Sequence, residues 1–194
     1  MKDRLERQLG FIYEIDRVKG IFRKTRLFHA DRFENDAEHS WHICMMALVL
    51  QEYANDKIDI LKVLKMMLIH DLVEIDTGDT IVYNRTDADV EAEKMAADRI
   101  FGMLPGDTGR EFHDLWTEFE ARESAEARFA GALDRLEPLL QNMSRNGEDW
   151  RRNGIGYEKV LDVNRRIEDG SRRLWDFVRE EIKKHLDNGD FAQG

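Results

Sequence analysis

Hydrophobic positions recur three and four residues apart along almost the whole chain, and the interruptions in that rhythm divide it into helices. The first covers 3–19, with Leu5, Leu9, Ile12 and Ile15 along one side and charges between them. Gly20 breaks it, and a polar connection without periodicity runs to Asp36. Asn35 and Asp36 carry the capping chemistry for a second helix, 36–54, and Asp56 and Asp59 precede a third, 60–75. A polar segment, 80–87, leads to a fourth at 89–102. Pro105-Gly106-Asp107 is a turn that opens a fifth, 108–122, and Ser124 caps a sixth that ends at Met143. Asn146-Gly147 and Asn153-Gly154-Ile155-Gly156 bracket a mobile linker around Trp150, and Gly170 divides two closing helices, 157–169 and 171–186. With helical spacing this pervasive and only two prolines, the pattern predicts an all-α fold.

Two places depart from the regular pattern. Pro138 lies inside the sixth helix, where it lacks an amide for the carbonyl four back, that of Asp134, and crowds it. A kink or loosened turn is expected there. The 20–36 connection is long for a compact domain and carries Arg23, Lys24, Arg26 and Arg32; long connections of this kind tend to be functional.

Composition then narrows the class. A chain of 194 residues with 42% hydrophobic and 36% charged content suits one domain, 1–194, with a real core. The formal charge of −10 is confined to 1–143, where 19 Lys/Arg face 29 Asp/Glu; from Ser144 onward 11 face 11. That argues against nucleic acid as a partner, but not against a small phosphorylated ligand whose charge a metal and an arginine can match. Cys44 is the only cysteine and sits in an apolar run, so it reads as a core residue in a reducing compartment. The start, Met1-Lys2-Asp3-Arg4, alternates charge, and no apolar run approaches the roughly 18 residues of a membrane span, so a cytoplasmic protein without membrane contact is expected.

Chemistry concentrates in one stretch, His70-Asp71-Leu72-Val73-Glu74-Ile75-Asp76-Thr77-Gly78-Asp79-Thr80, at the end of the third helix. Helical spacing lets His70, Asp71 and Glu74 share a face, and Thr77-Gly78-Asp79 would end the helix and leave Asp79 on a loop. An imidazole beside a carboxylate at the end of an apolar helix is costly to bury unless something binds it. A metal ion answers that. His39, on the neighbouring second helix, is the leading further nitrogen ligand, and Asp134, which interrupts the apolar stripe Phe129, Leu133, Leu136 and Leu140, is the leading carboxylate. Two imidazoles and two carboxylates suit Mn²⁺, Co²⁺, Fe²⁺, Zn²⁺ or Ni²⁺ with positions open for water. Spacing alone leaves the alternative that His39 and His70 are hydrogen-bonded core histidines. His42 reads as packed or as a support for the site, and His29, His113 and His185 as surface residues.

The order Glu38-His39-Ser40, His70-Asp71 and Asp134 resembles the pattern of the HD-domain metal-dependent phosphohydrolases, over about 3–143. With Glu74 and Asp79 in register it is most similar to their 5′-deoxynucleotidase branch. The resemblance implies an HD-type helical bundle with the metal between central helices; the helices of 157–186 are expected to pack on that catalytic core. His39, His70, Asp71 and Asp134 would hold one divalent ion (Mn, Co, Mg, Zn, Fe or Ni). The activity implied is hydrolysis of a nucleoside 5′-monophosphate, the deoxy form foremost, by water activated at the ion, with Glu74 orienting or deprotonating that water or protonating the leaving oxygen, and Asp79 facing the sugar. Arg23 matches the family's phosphate-holding arginine, with Lys24 standing where the family has tryptophan; Arg26 and Arg32 are substitutes. Trp41 is a candidate wall of the pocket. Related enzymes commonly dimerise, and Trp175 and Phe177 offer an apolar face for it. The competing readings are a hydrolase of another phosphorylated small molecule and a non-catalytic module that binds metal and nucleotide; a carboxylate such as Glu74 beside the ion has no use in the second.

Overall fold

The structure, a computed structural model, describes residues 3–80 and 86–192. Its axis is the helix α7, Ala125–Ser144, started by Ser124, whose hydroxyl accepts from the Ala127 amide at 3.2 Å. Phe129, Leu133, Leu136 and Leu139 bury completely or nearly so, while Ala127, Ala130, Gly131 and Ala132 let neighbours approach the backbone closely. Pro138 lies within the helix, which runs past it to Ser144.

Around α7 pack α2 (Asp36–Leu50), α3 (Ile60–Ile69) and α6 (Gly106–Ala121). Asn35 caps α2 by accepting from the Glu38 amide at 3.0 Å, with Glu38 returning to the Asn35 amide. Asp59 caps α3. The long third helix expected from the pattern is in fact three pieces. It ends at Ile69, tightens into a 3₁₀ turn over His70–Val73 and resumes as α4, Glu74–Thr77, until Gly78 at φ 72° stops it. Helix α5, Asp87–Phe101, is capped by Thr86 and buries Ala96, Ala97, Ile100 and Phe101. Most of the polar segment before it, 81–85, lies outside the described residues.

The first helix, α1 (Arg4–Ile15), buries Phe11 rather than the expected stripe: Leu5, Leu9 and Ile12 stay exposed. It is latched by Arg7, which donates to the carbonyls of Met103 and Gly102 at 3.0 and 2.7 Å.

The connection expected to be without structure is a β-hairpin. Strand β1, Phe22–Arg26, pairs antiparallel with β2, Phe33–Asn35. Strand alternation turns Arg23 and Thr25 inward and leaves Phe22 and Lys24 exposed.

A second correction concerns the supposed linker. A short helix, α8 (Glu148–Arg152), occupies it, and Trp150 is buried and stacked on Phe191 with ring centroids 4.7 Å apart. Gly147, at φ 68°, turns the chain where a Cβ would overlap the Asp190 carbonyl. The closing segment forms α9 (Tyr157–Asn164), α10 (Ile167–Gly170) and α11 (Arg172–Asp187). Helix α10 rests on α7 at Gly170, whose missing side chain admits Arg128 and Ala132 of α7. Helix α11 buries Leu174, Trp175, Val178 and Ile182, so Trp175 is a core residue and offers no dimer face; Phe177 alone of the expected pair is exposed. Among the described residues no helix is long and apolar enough to cross a membrane.

Candidate metal centre

Three elements bring His39, His70 and Asp71 to one point and set Asp134 against both imidazoles. The capping box at Asn35 sets the register of α2 so that His39, Ile43 and Ala47 turn inward. The 3₁₀ turn presents His70 and Asp71, and α7 presents Asp134. His39 Nε2 lies 3.2 Å from Asp134 Oδ1 and 3.9 Å from Asp71 Oδ2. His70 Nε2 lies 3.0 Å from Asp71 Oδ1 and 3.5 Å from the same Asp134 Oδ1. Both imidazoles are buried.

Each ring is oriented from behind. His70 Nδ1 donates to the Met67 carbonyl at 2.9 Å. His39 Nδ1 faces Glu137 Oε2 at 3.3 Å and Glu34 Oε2 at 3.6 Å, both carboxylates fully buried. Glu137 also takes His42 Nδ1 at 3.1 Å and Gln141 Nε2 at 2.5 Å. With both Nδ1 atoms committed, both Nε2 atoms point into the same space, and His70 Nε2 is a buried nitrogen without a hydrogen-bond partner of good geometry. Two imidazole nitrogens and two carboxylates so arranged fit a divalent transition metal.

The electrostatics of the ion-free site agree. Burial opposes charge on every member, but the groups outweigh it together. Asp71 and Asp134 lift His70 to about 9. His39 is pulled well above the ordinary histidine value by Asp134, Glu137 and Glu34, against burial and Arg23. Despite burial, His70 and Arg23 hold Asp71 down to about 2, and the two imidazoles hold Asp134 well below the carboxylate range. The charge pattern of the ion-free site thus favours positive charge where these side chains meet.

Beside this cluster lies a second group of carboxylates, Asp36, Glu74 and Asp79, close enough to one another to share a ligand. Asp36 and Glu74 meet because α2 and α4 begin side by side with the site, and Gly78 swings Asp79 back towards them. Burial, then Asp71 and Asp36, push Glu74 up to about 12; burial and Asp71 push Asp36 up to about 7, and burial raises Asp79. Glu74 Oε2, Asp79 Oδ2 and both Asp36 oxygens are buried without a hydrogen-bond partner. Arg23 stands between the two groups: Nη1 donates to Asp71 Oδ2 at 2.9 Å and faces Asp36 Oδ1 at 3.7 Å, and Nε is 3.9 Å from Glu34.

A cavity opens over the cluster, walled by Arg23, Lys24, Glu74, Asp79 and Arg122 and continuing along α7 past Pro138 to Asn142 and Trp150. Trp41 is no part of its wall; it stands on the outward face of α2, 65% exposed, which corrects that expectation. Arg26 and Arg32 are also elsewhere, Arg26 against Glu148 and Arg32 against Glu38 at 2.7 Å. His29 is exposed and His113 pairs with Asp98 at the surface, but His185 is largely buried against Asp190 at 2.7 Å and the edge of Trp150. Asp36, Glu34, Glu137 and Arg122 escaped the sequence reading. Glu137, a carboxylate between Leu136 and Leu139 in a buried stripe, was the one visible signal.

A family model described as HD domain matches residues 15–175. In structure the chain is similar to a predicted metal-dependent phosphohydrolase from Magnetospirillum magnetotacticum MS-1, with a TM-score of 0.93 and 48% identity over 98% of this chain and 96% of that one. It is also similar, in fold alone, to the PH0347 protein from Pyrococcus horikoshii OT3, at TM-score 0.63 and 21% identity over 91% and 97% of the two chains. In sequence it is 28% identical over 137 residues to the 5′-deoxynucleotidase HDDC2 of Homo sapiens, 70% of this chain and 63% of that protein. The match thus spans somewhat less than two thirds of the curated relative's length.

Proposed function

This chain belongs to the HD-domain family, and from that premise we propose that it is a divalent-metal-dependent phosphohydrolase releasing phosphate from deoxynucleoside 5′-monophosphates. The observation that carries the reading is the convergence of His39 Nε2, His70 Nε2, Asp71 and Asp134 beneath an open cavity, with the protonatable carboxyl of Glu74 alongside. A divalent ion bound there supplies a Lewis acid for the phosphoryl oxygens and a nucleophilic water at neutral pH.

The chain's own residues do the rest. His39, His70, Asp71 and Asp134 are the proposed ligands; Glu137 and the Met67 carbonyl fix the two rings, and Arg23 fixes Asp71. Water attacks phosphorus as the bond to the 5′-oxygen breaks, giving nucleoside and orthophosphate. Glu74 is the proposed proton carrier, taking a proton from the water or returning one to the leaving oxygen. Arg23 and Lys24 line the phosphate end. Asp79 is the proposed partner of a sugar hydroxyl. From Asp134 to Asn142 the cavity follows α7 for about 12 Å, a length that suits a nucleoside rather than a bare phosphate. The deoxynucleotide itself comes from the name of the human relative. In this reading the protein works as a homodimer.

The test is to strip the protein of metal, restore Mn²⁺, Co²⁺, Mg²⁺ and Zn²⁺ separately, and measure phosphate release. The panel holds deoxy- and ribonucleoside 5′-monophosphates, 3′-monophosphates and an aryl phosphate. Metal-dependent release from the 5′-deoxynucleotides, lost in Asp71→Ala, is the expected result. Release from the aryl phosphate alone would remove the nucleotide from the reading, and no release with any metal would remove the enzyme.

A further inference from the structure

Helix α6 ends at Ala121, and Arg122 closes it in the left-handed conformation at φ 56°. Few residues other than glycine adopt that backbone, and here it forms the left-handed stop of a helix. The turn folds the Arg122 side chain back across the helix end, where its guanidinium carbon lies 3.9 Å from the centroid of the Phe119 ring. Phe119 is buried, and its ring packs edge-on against His70 with centroids 4.9 Å apart. Beneath the guanidinium is Gly131 of α7, where any Cβ would overlap Nη1 and Cζ of Arg122. Glycine inside a buried helix weakens it relative to alanine, and here it clears the berth of one side chain. So placed, Arg122 Nη2 faces Asp134 Oδ2 at 3.6 Å, while Oδ1 of the same carboxylate faces the two histidines. The side chain is 29% exposed, on the wall of the cavity.

The upstream arginine is differently situated. Arg23 donates to Asp71 and is also faced by Asp36 and Glu34, so three carboxylates share its charge. A phosphoryl group entering above the metal ligands carries its charge on outward oxygens, and it needs a planar donor facing the open side. We propose that Arg122 is that donor: it binds the non-bridging phosphoryl oxygens and stabilises their charge during transfer, with Phe119 and Gly131 as positioning residues. Arg122 gives and takes no proton; the bonds made and broken are those of the hydrolysis already described, and the inference rests on that reading.

The test uses Mn²⁺-loaded full-length protein, with orthophosphate binding followed by calorimetry and turnover of a deoxynucleoside 5′-monophosphate followed by phosphate release. Arg122→Gln is expected to lose about 10²-fold in kcat/KM, mostly in kcat, and about 10-fold in orthophosphate affinity, with Mn²⁺ affinity within a few-fold of wild type. Arg122→Lys keeps the charge without the planar fork and recovers part of the loss. Gly131→Ala alters no group proposed to contact metal or substrate, but its Cβ would displace the Arg122 guanidinium, so it is expected to reproduce most of the Arg122→Gln defect; it and Arg122→Lys carry the test if Arg122→Gln does not fold. Wild-type orthophosphate affinity in Arg122→Gln or in Gly131→Ala would overturn the inference, as would a loss that follows Mn²⁺ affinity alone. If wild type releases phosphate from no ester, the phosphohydrolase reading fails, while the orthophosphate titration still decides the role of Arg122.

Discussion

Glu137 and His39 face each other with no solvent between them: Oε2 lies 3.3 Å from Nδ1, and both side chains are fully buried. Such a carboxylate fixes the tautomer and tilt of an imidazole and raises its basicity towards a metal. Glu137→Gln keeps the shape and one acceptor but removes the charge. It is expected to weaken Mn²⁺ binding by about 10- to 100-fold, read by competition with a chelating dye. Affinity equal to wild type would show that Glu34, 3.6 Å from the same nitrogen, suffices.

Glu74 supplies a prediction on turnover rather than binding. Its carboxyl borders the ligand cluster, and Glu74→Gln is close to isosteric. Metal stoichiometry is expected to survive while kcat falls by about 10²- to 10⁴-fold, the usual worth of a positioned acid or base. Turnover at the wild-type rate would end the proton-carrying assignment.

How much of this was legible beforehand differs residue by residue. Asp134 stood out because it interrupts the apolar stripe Phe129, Leu133, Leu136 and Leu140, and His70-Asp71 because they close an apolar run where a buried polar group needs a partner; His39 was a candidate by its place on the neighbouring helix, and the resemblance of the His39, His70-Asp71, Asp134 order to a known family favoured the set as ligands. Their convergence was not readable from periodicity, since the 3₁₀ turn at His70–Val73 replaces the regular helix that the pattern implied. The hairpin at 22–35 was missed because its inward residues, Arg23 and Thr25, are polar and its strands are too short for alternation to show. Asp36 read only as capping chemistry, although it is fully buried beside Glu74 and Asp79. Trp150 looked like part of a linker because Asn-Gly pairs flank it; its stacking partner, Phe191, lies forty-one positions along the chain, beyond the reach of any local rule. Arg122 left no signal at all, because its meaning depends on Gly131 and Phe119 across a helix boundary.

The raised histidines make a prediction about pH. A folded-state pKa above the unfolded value near 6.5 contributes stability that is complete below that value and is lost as pH rises through the folded pKa. For His70 the folded value is about 9, His39 is raised as well, and Glu74 at about 12 acts with the same sign across this window. Metal-free protein is therefore expected to lose stability steadily from about pH 6.5 to pH 9, by a few kcal/mol in all. Excess Mn²⁺ competes with those protons, so its stabilising shift in Tm grows over the same interval. Scanning calorimetry with and without chelator checks both slopes; a metal-free Tm flat or rising from pH 6.5 to 9 would contradict the ion-free charge pattern.

The outward face of α2 bears on assembly. Inward, the helix presents His39, Ile43 and Ala47; outward, at the next helical spacing, it presents Trp41, Met45, Leu48 and Val49, all at least 42% exposed. A helix apolar on every side is normally covered on every side. Four large exposed side chains in one stripe exceed the scattered surface apolars of an ordinary monomer. If the proposed homodimer forms, it is expected to use this face rather than Trp175, which the core already buries. A stable interface removes about 800 Å² from each partner, so a bulky charge at its centre is expected to break it. Trp41→Glu with Val49→Glu should halve the mass measured by light scattering, with the helical circular dichroism unchanged because neither side chain packs in the core. A wild-type protein that is already monomeric at tens of micromolar would refute the dimer, and a dimer that survives both substitutions would place its interface on another face.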